Sequence, residues 1–525
     1  MTSPVARFRS AWPILWPGAL TGGLFWCSIP HLDLGLAAWI CLIPALFRLG
    51  PIPWRRAWWG GMVAGVVAGT GRTYWIAQTL QRYGDLSLPA ALSTTVLLIL
   101  YLALYWAAFC ALCSRLDPRR PAFPWVVASL WVILEWVQSW MISGFPWQLL
   151  GYSQYRCLPL VQLASVTGVY GLSFLVALTN AGIAQALTLI AQPRRAVPAA
   201  AVPVLLLAVV WLAGQARLDR LEREPGQPLT VAVLQGNVPQ EQKWKAGRKA
   251  GATQHYASLA RGLDRTDLDL VVFPETALPF FFADSTNAEH RSAVEALARE
   301  LNAPLLVGSL GGSWEEGIYN RAWLLDASGQ VAGTADKVHL VPFGEYLPFA
   351  SIFRYLQGLT AESGAFTPGL GHRVLRLPGS DVPFGVFICY ESIFPAITRE
   401  LALGGAELLI NTTNDAWFGR TAAPYQHFAM AAMRAVETGR PIVRAANTGI
   451  SGLIAPSGRI LRATGLFETT TITVQVTPRR EQTLYTRYGD LLVLCCGVVL
   501  AVACWQRWRH RNHSRPISAP PPAAG

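Results

Sequence analysis

The chain has 525 residues, 52% hydrophobic and 14% charged, a balance too apolar for an ordinary soluble enzyme. Its formal net charge of +12 would suit a nucleic-acid partner, but many of the basic residues flank apolar runs, as in a membrane protein, which removes that reading.

In chain order, apolar runs of spanning length are predicted near 11–28, 32–48, 54–78, 88–114, 123–142, 170–190 and 197–216, with an eighth near 488–506. The first has no small-residue cleavage site behind it and leads straight into the second, so it reads as an anchor, not a removed signal peptide. The loops separate by charge. One side holds Arg7 and Arg9, Arg48, Arg55 and Arg56, Arg115, Arg119 and Arg120, Arg194 and Arg195, and Arg507, Arg509, Arg511 and Arg515, whereas the alternate short loops hold only Arg82 and Arg156. This asymmetry predicts both termini in the cytoplasm and the polar block on the opposite face; Arg217, Arg220 and Arg223 lie on the translocated side, where the rule weakens for large domains. The expected organisation is a seven-span domain over 1–216, an extracytoplasmic domain over 217–487, an eighth span over 488–506 and a cytoplasmic tail over 507–525.

Within the spans, Gly60-Gly61-Met62-Val63-Ala64-Gly65 reads as close helix packing. Arg72 and Glu135 are the clearest intramembrane charges, both toward the outer ends. The aromatic loop with Gly144-Phe145-Pro146-Trp147 and Gly151-Tyr152-Ser153-Gln154 suits the membrane–water interface, where it could cradle a lipid headgroup.

The polar block reads as mixed α/β. Strands are predicted over 229–235, 268–273, 304–308, 383–388 and 406–411, a hairpin over 318–325 and 330–335, and strands within 440–455; helices are predicted over 249–263, 288–301, 393–403 and 424–438. Three reactive side chains follow strand-like runs: Glu275, Lys337 and Cys389. Of the nine cysteines, Cys389 alone lies in the polar block, so it has no disulfide partner within its own domain, and a helix N-terminus behind it would favour thiolate. Together the three make an acyl-transfer set of base, oxyanion partner and nucleophile. Singly, each has a plainer reading: Glu275 as a cap or surface carboxylate, Lys337 as a solvated charge, Cys389 as a small buried hydrophobe. Pro279-Phe280-Phe281-Phe282, just after Glu275, either plugs the core of the domain or rests against the outer leaflet. No metal-ligand spacing of Cys and His appears.

Phe273-Pro274-Glu275, the segment from Asp336-Lys337-Val338-His339 through Gly344-Glu345, and Ile388-Cys389-Tyr390-Glu391 resemble the Glu-Lys-Cys signature of the nitrilase, or carbon–nitrogen hydrolase, superfamily. With seven spans before and one after, and with Gln235-Gly236-Asn237-Val238-Pro239-Gln240, Trp244 and Asn411-Thr412-Thr413-Asn414-Asp415-Ala416-Trp417-Phe418-Gly419 in order, the chain resembles the apolipoprotein N-acyltransferase family over nearly its whole length. The resemblance implies a polytopic α-helical membrane platform bearing an α/β αββα sandwich. It implies transfer of an acyl chain from a membrane phospholipid, typically phosphatidylethanolamine, through a cysteine thioester to the N-terminal amine of an S-diacylglyceryl-cysteine apolipoprotein. Cys389 would be the nucleophile, Glu275 the base and Lys337 the oxyanion partner, with Glu345, Tyr390 and Glu391 supporting the site and Trp244 on a substrate-side loop. No cofactor and no metal is implied. The expected setting is a monomer in the bacterial inner membrane with its catalytic domain in the periplasm. Two other readings stand beside it: a membrane-tethered amidase of the same superfamily, in which water resolves the acyl-enzyme, and a transporter with an accessory domain, for which two charges near the outer span ends are too few.

Overall fold

The computed structural model describes residues 4–49, 52–223, 226–243, 248–264, 267–346 and 366–513. Apolar helices occupy each of the eight expected runs. Among the described residues, four are long and apolar enough to cross a membrane: Leu88–Cys113, Val169–Thr188, Pro193–Arg223 and Leu491–Arg509. The others include Pro4–Ser28, Trp54–Thr73 and Phe123–Gln138. The small-residue faces predicted to pack do so: a Cβ at Gly61 would lie 2.5 Å from the Trp106 carbonyl of the helix Leu88–Cys113.

The expected run 32–48 is not one continuous helix. A 3-10 turn over Gly35–Trp39 gives way to the helix Ile43–Leu49, and Asn180 stitches the break by accepting from the Leu42 amide at 2.8 Å and donating to the Ala38 carbonyl at 2.9 Å. Broken backbone at this depth needs such internal partners. The run 54–78 likewise ends at Thr73, and a separate helix, Trp75–Tyr83, continues to the polar part. There Thr79 donates to the Trp417 carbonyl at 2.8 Å. Arg72 and Glu135 are buried, Arg72 lying over the Phe25 ring at 5.5 Å. They line a cavity of about 20 Å³, room for roughly one water.

Among the described residues the polar part holds twelve strands: β1 Leu229–Gln235, β2 Leu270–Val272, β3 Leu305–Ser313, β4 Gly317–Leu325, β5 Val331–Asp336, β6 Val374–Arg376, β7 Pro383–Ile388, β8 Leu408–Thr413, β9 Ile442–Ala446, β10 Gly452–Ile454, β11 Ile460–Ala463 and β12 Thr470–Val476. They form two six-stranded sheets, in the orders β12-β1-β2-β3-β4-β5 and β11-β10-β9-β8-β7-β6. The inner faces alternate as a half-buried strand should. Val231 and Val233, Leu270 and Val272 of the first sheet share one core with Phe384, Val386 and Ile388, Leu408 and Ile410 of the second. The outer face of the first sheet packs on the helices Arg248–Arg261 and Ala288–Leu301, and that of the second on Pro395–Leu403 and Ala423–Thr438. The result is an αββα sandwich.

The helix Ala423–Thr438 seats the sandwich on the membrane helices. Gln426 accepts from Trp147 Nε1 at 2.7 Å, and Glu437 accepts from the Val169 amide at 2.8 Å. The aromatic loop expected at the membrane interface is therefore largely interior, because Trp147 and Tyr152 are buried in the core beneath that helix. The phenylalanine cluster also belongs to the core. Phe280 and Phe282 pack behind the first sheet, and Phe281 joins Leu310, Ile318, Leu340 and Phe366, so the outer-leaflet alternative does not hold.

Candidate active site

Three strand ends meet between the sheets. After β2 the chain turns sharply and presents Glu275, with Thr276 at φ +43°. The turn lies directly on β3, where Gly308 leaves room: a Cβ there would stand 2.2 Å from the Pro274 carbonyl. Lys337 follows β5, and Cys389 follows β7. Cys389 itself has φ +52°, a left-handed conformation that costs a non-glycine residue about 1–3 kcal/mol and persists only when its surroundings hold it. The strand thus ends in a tight elbow at the thiol-bearing residue. The helix behind it differs from the expected one, since a 3-10 turn, Cys389–Ile393, intervenes before Pro395–Leu403.

All three side chains are buried, at 5, 1 and 6% exposure for Glu275, Lys337 and Cys389. Lys337 Nζ lies 2.7 Å from Glu345 Oε1 and 3.3 Å from Glu275 Oε1. Asn320 donates to Glu275 Oε1 at 2.7 Å, and the Val341 amide donates to Glu345 Oε2 at 2.8 Å. Glu275 Oε2 is buried without a hydrogen-bond partner among the described residues, which leaves one carboxylate oxygen open to a proton. Burial opposes the Lys337 charge, but Glu345 and Glu275 outweigh it and raise its pKa. Burial pushes the Cys389 thiol well above its usual range; Glu275 adds to the rise, and Lys337 opposes it. The helix N-terminus expected to favour thiolate is set back from the sulfur by the 3-10 turn Cys389–Ile393, and burial acts in the opposite direction, toward the thiol. A thiol with a carboxylate nearby can pass its proton to that carboxylate as sulfur attacks, with an ammonium nearby to receive developing negative charge.

Glu391 braces the arrangement. Its Oε1 accepts from the Val338 and His339 amides at 2.7 and 3.0 Å, and its Oε2 accepts from the Ile388 amide at 2.6 Å. Burial opposes its charge, but His372 and these amides hold its pKa below the usual range. Tyr390 reaches the platform, its hydroxyl 3.4 Å from the Gly144 carbonyl. Trp244 lies outside the described residues.

Residues not singled out in the sequence reading complete the site. His427 Nε2 donates to the Cys389 carbonyl at 3.1 Å, while its Nδ1 lies 2.9 Å from both Asp415 Oδ1 and Arg444 Nη2. Arg444 also binds Asp415 Oδ2 at 2.9 Å. Against the cost of burial, Arg444 and His427 hold the Asp415 pKa at about 2. Lys243, from the short helix Gln240–Lys243, donates to the Glu275 carbonyl at 3.2 Å. The motif Asn411 to Gly419 pointed to Asp415, but nothing in local sequence distinguishes Lys243, Asn320 or His427 from surface polar residues.

Two families match the chain. Residues 21–182 match the apolipoprotein N-acyltransferase N-terminal domain, and residues 230–485 match the carbon–nitrogen hydrolase family. The apolipoprotein N-acyltransferase of Geobacter metallireducens is 38% identical over 499 residues, covering 94% of this chain and 95% of that protein. That of Methylococcus capsulatus is 35% identical over 511 residues, covering 94 and 96%. Among solved structures, a carbon–nitrogen hydrolase from Helicobacter pylori G27 aligns with TM-score 0.39 and 19% identity over 50% of this chain and 94% of that one. With relatives of 38 and 35% identity matched along almost their entire length, the chain belongs to the apolipoprotein N-acyltransferase family.

Proposed function

We propose that the protein transfers an acyl chain from a membrane phospholipid, phosphatidylethanolamine being the favoured donor, to the N-terminal amine of S-diacylglyceryl-cysteine on apolipoproteins. Glu275 takes the Cys389 proton, and the sulfur attacks the donor ester. The tetrahedral oxyanion is stabilised by Lys337, and as it collapses the ester C–O bond breaks and Glu275 passes its proton to the departing lyso-phospholipid oxygen. The resulting thioester keeps the acyl group activated, so no cofactor is required. Glu275, again a carboxylate, then accepts a proton from the incoming amine as the C–N bond forms, the C–S bond breaks, and the proton returns to the Cys389 sulfur. Glu345 holds Lys337, and Glu391 holds the two strand ends in register; Tyr390 joins the elbow to the platform, and Trp244 serves the substrate side.

The observation that carries this reading is the meeting of three buried strand-end groups, Cys389 with Glu275 and Lys337, on a domain joined to a platform of apolar helices through Tyr390. That placement suits a donor whose acyl chains never leave a bilayer. In the same reading residues 217–487 form the catalytic domain on the periplasmic side of the inner membrane, both termini are cytoplasmic, and the protein works as a monomer.

The test is incubation of the purified protein with acyl-labelled phospholipid, followed by mass spectrometry of the Cys389 peptide. Label on Cys389 that moves to a diacylglyceryl lipopeptide on its addition is the expected result. Label released as free fatty acid, with none on the lipopeptide, would instead assign hydrolysis.

A further inference from the structure

A second lysine enters the site from an element remote from the first. Lys243 is buried, and its ammonium donates to the Glu275 carbonyl at 3.2 Å and to the Thr276 hydroxyl at 2.5 Å. Both acceptors belong to the strained turn that presents Glu275. Each is neutral, so neither answers the charge of a buried ammonium, which is unfavourable unless it is paired. The ionisable groups that act on it are Glu275 and Cys389. Burial lowers its pKa to about 8, with Glu275 and Cys389 opposing the fall.

The charge count of the site gives this ammonium a task. Glu275 and Glu345 share Lys337, at 3.3 and 2.7 Å. One ammonium cannot match two carboxylates in a buried site, and like charges drive one of such a pair to take up a proton. Burial already raises the Glu345 pKa, with Glu275 adding to the rise against Lys337. A Glu275 that carries a proton of its own cannot accept one from Cys389. With Lys243 counted, two carboxylates face two ammoniums.

We propose that Lys243 is a positioning residue for the proton-accepting carboxylate: it clamps the turn that presents Glu275, and its charge keeps that carboxylate unprotonated and ready for the Cys389 proton. In that step the S–H bond breaks, an O–H bond forms on Glu275, and the electron pair stays on sulfur; Lys243 keeps its own protons. The proposal rests on the reading of Cys389 as nucleophile and Glu275 as base.

The experiment is the rate of Cys389 alkylation by iodoacetamide from pH 5 to 9, read by mass spectrometry of its peptide in the full-length protein in detergent. No lipid or lipoprotein takes part, so a failure of the transferase reading leaves the result intact. Lys243→Gln retains a donor for the clamp without the charge, and Lys243→Arg retains the charge. In Lys243→Gln the acid limb is expected to move up by about one unit or more, slowing alkylation at pH 6 at least roughly tenfold and approaching the wild-type rate at the alkaline end. Lys243→Arg should keep the wild-type midpoint. A Lys243→Gln profile with an unmoved midpoint, whether scaled down or unchanged, overturns the proposal, as does a midpoint moved equally in both variants. If Glu275→Gln leaves the acid limb in place, it is the assignment of Glu275 as base that fails.

Discussion

Glu391 Oε2 accepts the Ile388 amide at 2.6 Å, immediately before the thiol-bearing residue. Its other oxygen holds the Val338 and His339 amides, immediately after Lys337. A single carboxylate therefore sets the distance between two strand ends on different sheets. Its two oxygens accept three amides, and an amide side chain would turn an N–H toward at least one of them. Glu391→Gln should lower stability by about 1–3 kcal/mol, the cost of stranding a buried donor. It should also slow acylation at least roughly tenfold through misplacement of the reacting groups. Thermal unfolding and single-turnover acylation check this; a variant as stable and as fast as wild type would show that the bridge is ornamental.

Cys389→Ala should abolish covalent labelling and turnover while leaving the fold intact, because the side chain is small and the replacement removes only the sulfur. Cys389→Ser should retain little or no activity. In the proposed route a carboxylate deprotonates the thiol, and a hydroxyl with a far higher pKa is poorly matched to such a base. Turnover by purified Cys389→Ala would rule out the covalent route.

Glu275→Gln and Lys337→Met should each cost at least about a hundredfold in the acylation rate. The two side chains touch at 3.3 Å, so their losses should not multiply in the double variant. A double variant showing the full product of the two losses would mean that they act separately.

Much of the fold was legible in local pattern. The helix predicted over 288–301 is Ala288–Leu301, and the predicted hairpin is β4 and β5, because strong periodicity and turn residues act over a few positions. β12 was missed, although Ile472, Val474 and Val476 alternate in its sequence; only its antiparallel pairing with β1 shows why the first sheet needs it. The break near residues 40–42 was hidden because hydropathy measures apolar length and is blind to a partner such as Asn180, more than a hundred residues away. The site divides in the same way. Glu275, Lys337 and Cys389 each announce themselves at a strand end, whereas Lys243, Asn320 and His427 matter through contacts that only the folded chain makes. The surroundings of the thiol were hidden for a related reason. A helix N-terminus can be read from sequence, but the burial of Cys389 arises only when the sheets pack together.

The Glu391 brace also gives stability a pH signature. His372 Nε2 stands 3.4 Å from Glu391 Oε1, and Nδ1 stands 3.0 Å from Glu400. Burial disfavours the imidazolium, but Glu391 and Glu400 outweigh burial and raise the His372 pKa above its ordinary 6.5. A raised histidine contributes stability that is complete below about pH 6.5 and disappears as pH rises through the folded value. Glu391, held below its ordinary 4.5, contributes stability that is complete above about pH 4.5 and disappears as pH falls through its folded value. The pair is therefore whole only between those limits. His372→Gln should flatten the loss of melting temperature on the alkaline side of pH 6.5, where the wild-type protein gives up the imidazolium. The acid-side loss should remain, because three backbone amides still bind the Glu391 carboxylate. The measurement is melting temperature from pH 4 to 9 for both proteins, and an alkaline slope identical in the two would show that His372 does not titrate against Glu391.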